Sequence, residues 1–180
     1  MHWSELSELR GKGVIYRNIN MVRLKPDYNL KDIYQIDLER LKSDGIKLIM
    51  FDLDSTLMVS KSGKYLDETK KWLNNVQKDF KIVVVSNNTK KDYLEKVRSI
   101  SDFEVLGSCA KPNTKNVSEY LKKNNIKVNE CVMVGDRPLT DILCGKRLGC
   151  KTILVGSINA KNENMPTKFV RWLERLTIKK

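Results

Sequence analysis

The chain has 180 residues, 41% of them hydrophobic and 31% charged, and a net charge of +12. That length suits one domain with a full core that needs no disulfide or metal staples, and the composition is that of a soluble globular protein. No apolar run approaches the ~20 residues of a spanning helix, the N-terminus lacks the apolar region of a secretory signal, and the four cysteines with the lone His2 form no Cys-x-x-Cys pair. A structural zinc site is therefore not expected, and unpaired thiols suit a reducing cytoplasm.

Residues 1–25 read as a basic lead-in within a single domain spanning 1–180. Arg10, Lys12, Arg17, Arg23 and Lys25 have no acid among them, and Val14, Ile15, Tyr16, Ile19, Met21, Val22 and Leu24 are interleaved without a clean period. Pro26-Asp27 signals a turn. Ile33, Ile36, Leu38 and Leu41 imply a short helix, closed by Asp44-Gly45 as a C-cap. A core spanning 46–157 follows, in which strands and helices alternate. Strands are expected at Leu48 to Phe51, Ile82 to Val85, Phe103 to Leu106, Cys131 to Val134 and Thr152 to Val155. Helices are expected at Asp67 to Phe80, Lys90 to Ile100, Thr114 to Lys123 and from Pro138 to Leu148-Gly149. Each strand is a continuous apolar run, so the fold class is α/β, a parallel sheet with helices on both faces. The last segment, residues 166–180, reads as a basic amphipathic helix.

In such sheets ligands sit beyond the carboxyl ends of the strands. Asp52 and Asp54, Ser86, Lys111, and Asp136 with Asp141 all follow a strand end, so all should face one crevice. Asp52 and Asp54 are two residues apart, and the period of a strand aims both the same way. Two carboxylates that close repel each other, which a divalent cation relieves; carboxylates and carbonyl oxygens are the hard ligands that Mg²⁺ prefers. Four acids, a hydroxyl and a lysine point to phosphoryl chemistry. Asp52 is the expected nucleophile and Asp54 the expected general acid and base. Ser86, with Asn87 beside it, should bind a phosphate oxygen, and Lys111 should offset repulsion between Asp52 and the incoming dianion. Asp136 would complete a metal site with Asp52 and Asp54. Asp141, on a first helical turn, would hold Asp136 or a metal-bound water, or else simply complement the helix dipole. Cys131-Val-Met-Val-Gly-Asp-Arg137 has the spacing of a cysteine phosphatase, but the residues between belong to a strand and Asp136 would repel the anion.

Asp52-Leu-Asp-Ser-Thr, Ser86-Asn-Asn, Lys111-Pro and Gly135-Asp-Arg-Pro-Leu-Thr-Asp141 resemble, in order, the four motifs of the haloacid dehalogenase (HAD) superfamily. Leu24-Lys-Pro-Asp27 and Thr167-Lys-Phe-Val-Arg-Trp-Leu-Glu174 are similar to the flanks of its YqeG branch, subfamily IIIA, which is associated with phosphatidylglycerophosphate phosphatases. The resemblance implies a Rossmann-like sheet of five strands in the order 5-4-1-2-3, Mg²⁺ dependence and an Asp52 nucleophile. The acid at Asp54 matches the family's phosphatases, whose ATPase relatives carry Thr there. Ser55 departs from the Asn of many relatives, and residues before Leu24 have no counterpart. HAD enzymes acting on small metabolites usually carry a cap domain, for which the intervals here leave no room; an open site suits a large or surface-held substrate.

In the C-terminal segment Phe169, Trp172, Leu173 and Leu176 share one face, and Lys168, Arg171, Arg175 and Lys179 another. The apolar stripe is expected to pack on the sheet, although the same helix could lie on an anionic membrane. With the basic charge, the resemblance implies a phosphorylated, anionic phospholipid, phosphatidylglycerophosphate, as substrate and a cytoplasmic protein with peripheral contact at the membrane's inner face. From the residues alone the chemistry reaches a phosphomonoester. Sugar phosphates, nucleotides and nucleic-acid ends stay open as substrates. A non-catalytic module that binds RNA or another anion would have no use for Asp54.

Overall fold

The computed structural model describes residues 24–158 and 165–178. Residues 1–23 of the basic lead-in, residues 159–164, and Lys179 and Lys180 lie outside the described residues. Six parallel strands form one open sheet: β1 (Tyr28–Asn29), β2 (Leu48–Phe51), β3 (Lys81–Val85), β4 (Glu104–Leu106), β5 (Cys131–Gly135) and β6 (Lys151–Leu154), in the order β1-β6-β5-β2-β3-β4. The expected count of five strands is thus corrected to six. Tyr28–Asn29 adds an edge strand because Asp27 is fastened to Thr152: its Oδ2 accepts from the Thr152 amide and hydroxyl, both at 2.8 Å. That bond sets Tyr28 beside Ile153 in register.

The continuous apolar runs are buried because the sheet is covered on both faces. Ile49, Phe51, Ile82, Val84, Val132 and Val134 point to one side, where Leu73 and Val76 of α2 (Asp67–Val76) and Leu94 and Val97 of α3 (Lys91–Ser99) meet them. The alternate residues Leu48, Met50, Val83, Val85, Cys131 and Met133 pack on Val117 and Leu121 of α4 (Lys115–Lys123). The cysteines are all buried and unpaired. Cys131 sits at the start of β5, the end opposite Asp136, and burial pushes its thiol up to about 12. A thiolate nucleophile needs the reverse shift, so the Cys-x₅-Arg spacing carries no chemistry here.

Two helices differ from expectation. The segment from Ile33 to Leu41 splits into a 3₁₀ turn, Ile33–Gln35, and α1, Leu38–Ser43. Each piece has its own N-cap: Asp32 accepts from the Tyr34 amide and Asp37 from the Arg40 amide. Gly45, with φ 76°, follows α1 in the left-handed conformation expected of a C-terminal glycine. The helix after β5 opens as a π turn, Pro138–Ile142, before α5 (Leu143–Leu148) continues it. Asp141 lies on that wider turn.

The C-terminal helix α6 spans Met165–Leu176, and Trp172, Leu173 and Leu176 of its expected apolar stripe do not pack on the sheet; the side chains of Lys168, Phe169 and Arg171 lie outside the described residues. Trp172, Leu173 and Leu176 are 56%, 44% and 62% exposed, while Glu174 is buried at 5%. At about 3.6 residues per turn Glu174 falls opposite the stripe, and this polar side is the one that docks. Glu174 pairs with Arg137, whose Nε donates to its Oε2 at 3.2 Å. Just beyond the helix, Ile178 bridges to Leu24.

Candidate active site

The register of the three central strands brings the functional side chains together. Phe51 is level with Val84 on one side and Val134 on the other, so the residues that follow β2, β3 and β5 emerge at one edge of the sheet. The Asp52 amide extends the ladder by one rung, donating to the Val134 carbonyl at 2.8 Å. Beyond it the chain turns sharply: the Ser55 amide donates back to the Met58 carbonyl, with Ser55 at φ 74°. Between β2 and β3 the chain holds only this loop and α2, so among the described residues no cap domain covers the edge.

The resulting cleft of about 200 Å³ is lined by Asp52, Asp54, Ser86, Asn87 and Lys111, all five anticipated from the sequence. Carboxylate oxygens of Asp52, Asp136 and Asp141 lie within 4.8 Å of one another, and Asp136 and Asp141 are each only 1% exposed. Lys111 joins the group from the other side: its Nζ is 2.6 Å from Asp52 Oδ1 and 2.7 Å from Asp141 Oδ1. The backbone of Lys111 is fixed by Asn87, whose Oδ1 accepts from the Lys111 amide at 2.6 Å and whose Nδ2 donates to its carbonyl at 3.0 Å. Asn87 thus shapes the cleft by holding the lysine, a role its place beside Ser86 did not suggest. Ser86 Oγ accepts from the Asn88 amide at 3.1 Å, which orients the hydroxyl.

Asp54 stands apart from the trio. Its Oδ1 accepts from the Lys61 amide at 2.7 Å and from the Tyr93 hydroxyl at 2.8 Å, so the carboxylate is held toward the loop and α3 rather than toward Asp136. Its expected part in a metal site therefore does not extend to the carboxylate cluster, which consists of Asp52, Asp136 and Asp141. Asp141 is fully inside the cluster. Its Oδ2 also accepts from the Arg137 amide at 3.0 Å, so the dipole reading alone undersells it. Gly135 makes the close approach possible, since a β-carbon there would collide with the Asp141 side chain.

The electrostatics follow from burial and sharing. Burial pushes the Asp52 carboxyl up to about 6; Lys111 opposes the rise, and Asp141 and Asp54 add to it. Burial also works against the Lys111 ammonium, but Asp141 and Asp52 outweigh it and hold the lysine well above its ordinary range. The asymmetry is physical: Lys111 has two carboxylate partners, whereas Asp52 shares one ammonium and faces further acids. Three converging carboxylates, two of them deeply buried, with Lys111 bridging Asp52 and Asp141, form an oxygen-rich, electron-rich donor set that fits a hard divalent cation such as Mg²⁺.

Arg137 and Thr140 also line the cleft, and neither was singled out in the sequence. Nor was Tyr93, in the first turn of α3. Burial, and then its bond to Asp54, raises the Tyr93 phenol. Arg137 stood inside the fourth motif and Glu174 inside the C-terminal flank, so the motif boundaries held a signal for both. Only the fold pairs them.

Comparison with known proteins places this geometry among phosphatases. Residues 12–158 match the family described as mitochondrial PGP phosphatase. The chain is 31% identical over 154 residues to "Probable phosphatase YqeG" of Bacillus subtilis, covering 83% of this chain and 87% of the relative. It is 28% identical over 198 aligned positions to "Phosphatidylglycerophosphate phosphatase 1, chloroplastic/mitochondrial" of Arabidopsis thaliana, covering all of this chain and 57% of that protein. Among solved structures, the 2-haloacid dehalogenase of Pseudomonas syringae pv. Tomato shares the fold at a TM-score of 0.54 and 14% identity, over 71% of this chain and 99% of the other.

Proposed function

The chain belongs to the PGP phosphatase family within the HAD superfamily, and on that premise we propose that it hydrolyses phosphatidylglycerophosphate to phosphatidylglycerol through an aspartyl-phosphate on Asp52. The observation that carries the reading is the meeting of Asp52, Asp136 and Asp141, with Lys111 bridging Asp52 and Asp141 and Asp54 at the side of the same open cleft. In this reading an Asp52 oxygen attacks phosphorus and the bond to the lipid's glycerol oxygen breaks. Asp54 gives that oxygen its proton, then takes one from the water that hydrolyses the acyl-phosphate. Lys111, locked in place by Asn87, keeps Asp52 beside the phosphate and compensates its charge. Ser86 donates its hydroxyl proton to a phosphate oxygen. Asp52, Asp136 and Asp141 would hold Mg²⁺, which when bound supplies charge neutralisation for the phosphoryl group.

The substrate assignment is supported by the family match, by the relative named for the same lipid, by the cleft without a cap, and by the net charge of +12. No described helix is long and apolar enough to cross a membrane, so the lipid would be met at a surface. The test is phosphate release with Mg²⁺ across lipid, sugar and nucleotide monoesters, for the native chain and Asp52→Asn. The native chain is expected to favour phosphatidylglycerophosphate, and Asp52→Asn to lose activity about ten-thousand-fold on every substrate. Equal or faster turnover of soluble monoesters would remove the lipid reading, and residual activity in Asp52→Asn near that of the native chain would remove the nucleophile.

A further inference from the structure

α6 is mounted inside out. An amphipathic helix on a globular domain ordinarily turns its apolar stripe to the core, yet among the described side chains of α6 the buried one is Glu174 and the exposed ones include Met165, Leu173 and Leu176, at 76%, 44% and 62%. Trp172 lies on the same stripe at 56%. The docked side is held by polar means: Glu174 meets the Arg137 guanidinium, and that bond is the chief reason the Arg137 pKa is raised. Arg137 itself lines the catalytic cleft, so the helix sits beside the site. Beyond the helix, the Leu24 amide donates to the Thr177 carbonyl at 3.0 Å and Leu24 packs with Ile178, Ile142 and Leu154. The helix is therefore anchored at its C-terminal end, by a polar contact in its last turn and an apolar one just beyond it, and Trp172, Leu173 and Leu176 stay outward.

Exposed apolar area of this kind marks a docking surface, and the charge says for what. Arg175 is exposed on the helix, whose sequence also contains Lys168 and Arg171 and just one acid, the buried Glu174. The chain as a whole carries +12. Apolar residues that include a tryptophan, accompanied by cations and no free acid, complement an anionic bilayer rather than an average protein surface. We infer that the α6 stripe is a docking surface for anionic phospholipid bilayers, seated beside the cleft by the Arg137–Glu174 pair. The inference rests on the proposed function only in its choice of an acidic phospholipid as the anion. The helix lies in the headgroup region with Leu173 and Leu176 inserted and Arg175 among the phosphates, which brings a membrane-held phosphomonoester to a site that no cap closes.

The experiment is flotation of the full chain with phosphatidylcholine vesicles, with and without phosphatidylglycerol, across ionic strength, run beside hydrolysis of soluble p-nitrophenyl phosphate. The native chain is expected to float with the phosphatidylglycerol vesicles and to detach as salt rises. The double substitution Leu173→Gln, Leu176→Gln should cut that partition about tenfold or more and leave p-nitrophenyl phosphate turnover unchanged, which also reports that the fold is intact. Arg175→Glu should weaken binding to the same vesicles and flatten its salt dependence. Three results would overturn the inference: no flotation of the native chain at low salt, undiminished flotation of the double variant, or a fall in solution mass on the double substitution, which would assign the stripe to a second copy of the chain. Vesicle binding as expected, without hydrolysis of phosphatidylglycerophosphate, would support the docking surface and remove the substrate.

Discussion

Tyr93 shows how much of the cleft is decided by single contacts. Its hydroxyl donates to Asp54 at 2.8 Å, and with the Lys61 amide it fixes the carboxylate that the proposed mechanism uses twice. Removing the hydroxyl leaves Asp54 held by the Lys61 amide alone. Tyr93→Phe is expected to lower kcat about tenfold, the equivalent of ~1.4 kcal/mol, with KM nearly unchanged; a change confined to KM would mean that Tyr93 touches substrate instead. Asp52 and Asp54 were legible because two acids at the end of an apolar strand are costly and need a reason. Tyr93 was not, since one tyrosine in an amphipathic helix looks like any other core-facing aromatic. Ser55 falls between these cases. Its departure from the Asn of many relatives stood out in the sequence, and the structure supplies the context: at φ 74° it occupies a left-handed position that Asn tolerates better than Ser.

The edge strand and its anchor make the case at the scale of the element. β1 has only two residues, too short to stand out by pattern, yet Asp27 ties it to β6 through Thr152 and reaches Lys146 of α5 at 2.8 Å. Burial would raise the Asp27 carboxyl, but the bonds from Lys146 and Thr152 outweigh it and the pKa is lowered. A carboxyl whose folded pKa is depressed stabilises the fold fully above its unfolded value, 3.8, and loses that contribution as pH falls through the lower folded value. Asp27→Asn is expected to cost about 1–2 kcal/mol at neutral pH and to flatten the acid limb of the stability profile, both measured by denaturant unfolding as a function of pH. An unchanged acid limb would assign acid lability to other carboxylates. Leu24-Lys-Pro-Asp27 had been noticed as a family flank without a role; its role is this peg, together with the seat of Leu24 beside Ile178. α6 taught the opposite lesson. Its stripe was expected to pack on the sheet and Trp172, Leu173 and Leu176 face outward instead, because periodicity finds a stripe but cannot say which side has the stronger partner. Arg137 decided that by holding Glu174.

For the molecule as a whole, stability and catalysis meet in the carboxylate cluster. Three carboxylates converge here, with Lys111 bridging Asp52 and Asp141, and concentrate negative charge in a small volume, so a cation that binds the native state alone raises stability. Mg²⁺ at roughly a hundred-fold excess over its Kd should raise Tm by about 5–10 °C in a chain of this size, and Asp136→Asn should remove most of that rise, read by differential scanning calorimetry. No shift with Mg²⁺ in the native chain would mean that Lys111 alone neutralises the cluster. Continuous apolar runs and isolated acids are local signals, so the alternation of buried strands and helices, the parallel sheet and the polar residues at the strand ends were legible in the chain itself. The tertiary fold settled which carboxylates converge, Asp52, Asp136 and Asp141, and which one turns away to Tyr93. It also decided that Asp27 completes the sheet and that α6 presents its apolar side outward. Each of those outcomes depends on a partner more than thirty residues away, and a local pattern contains no information about who that partner is.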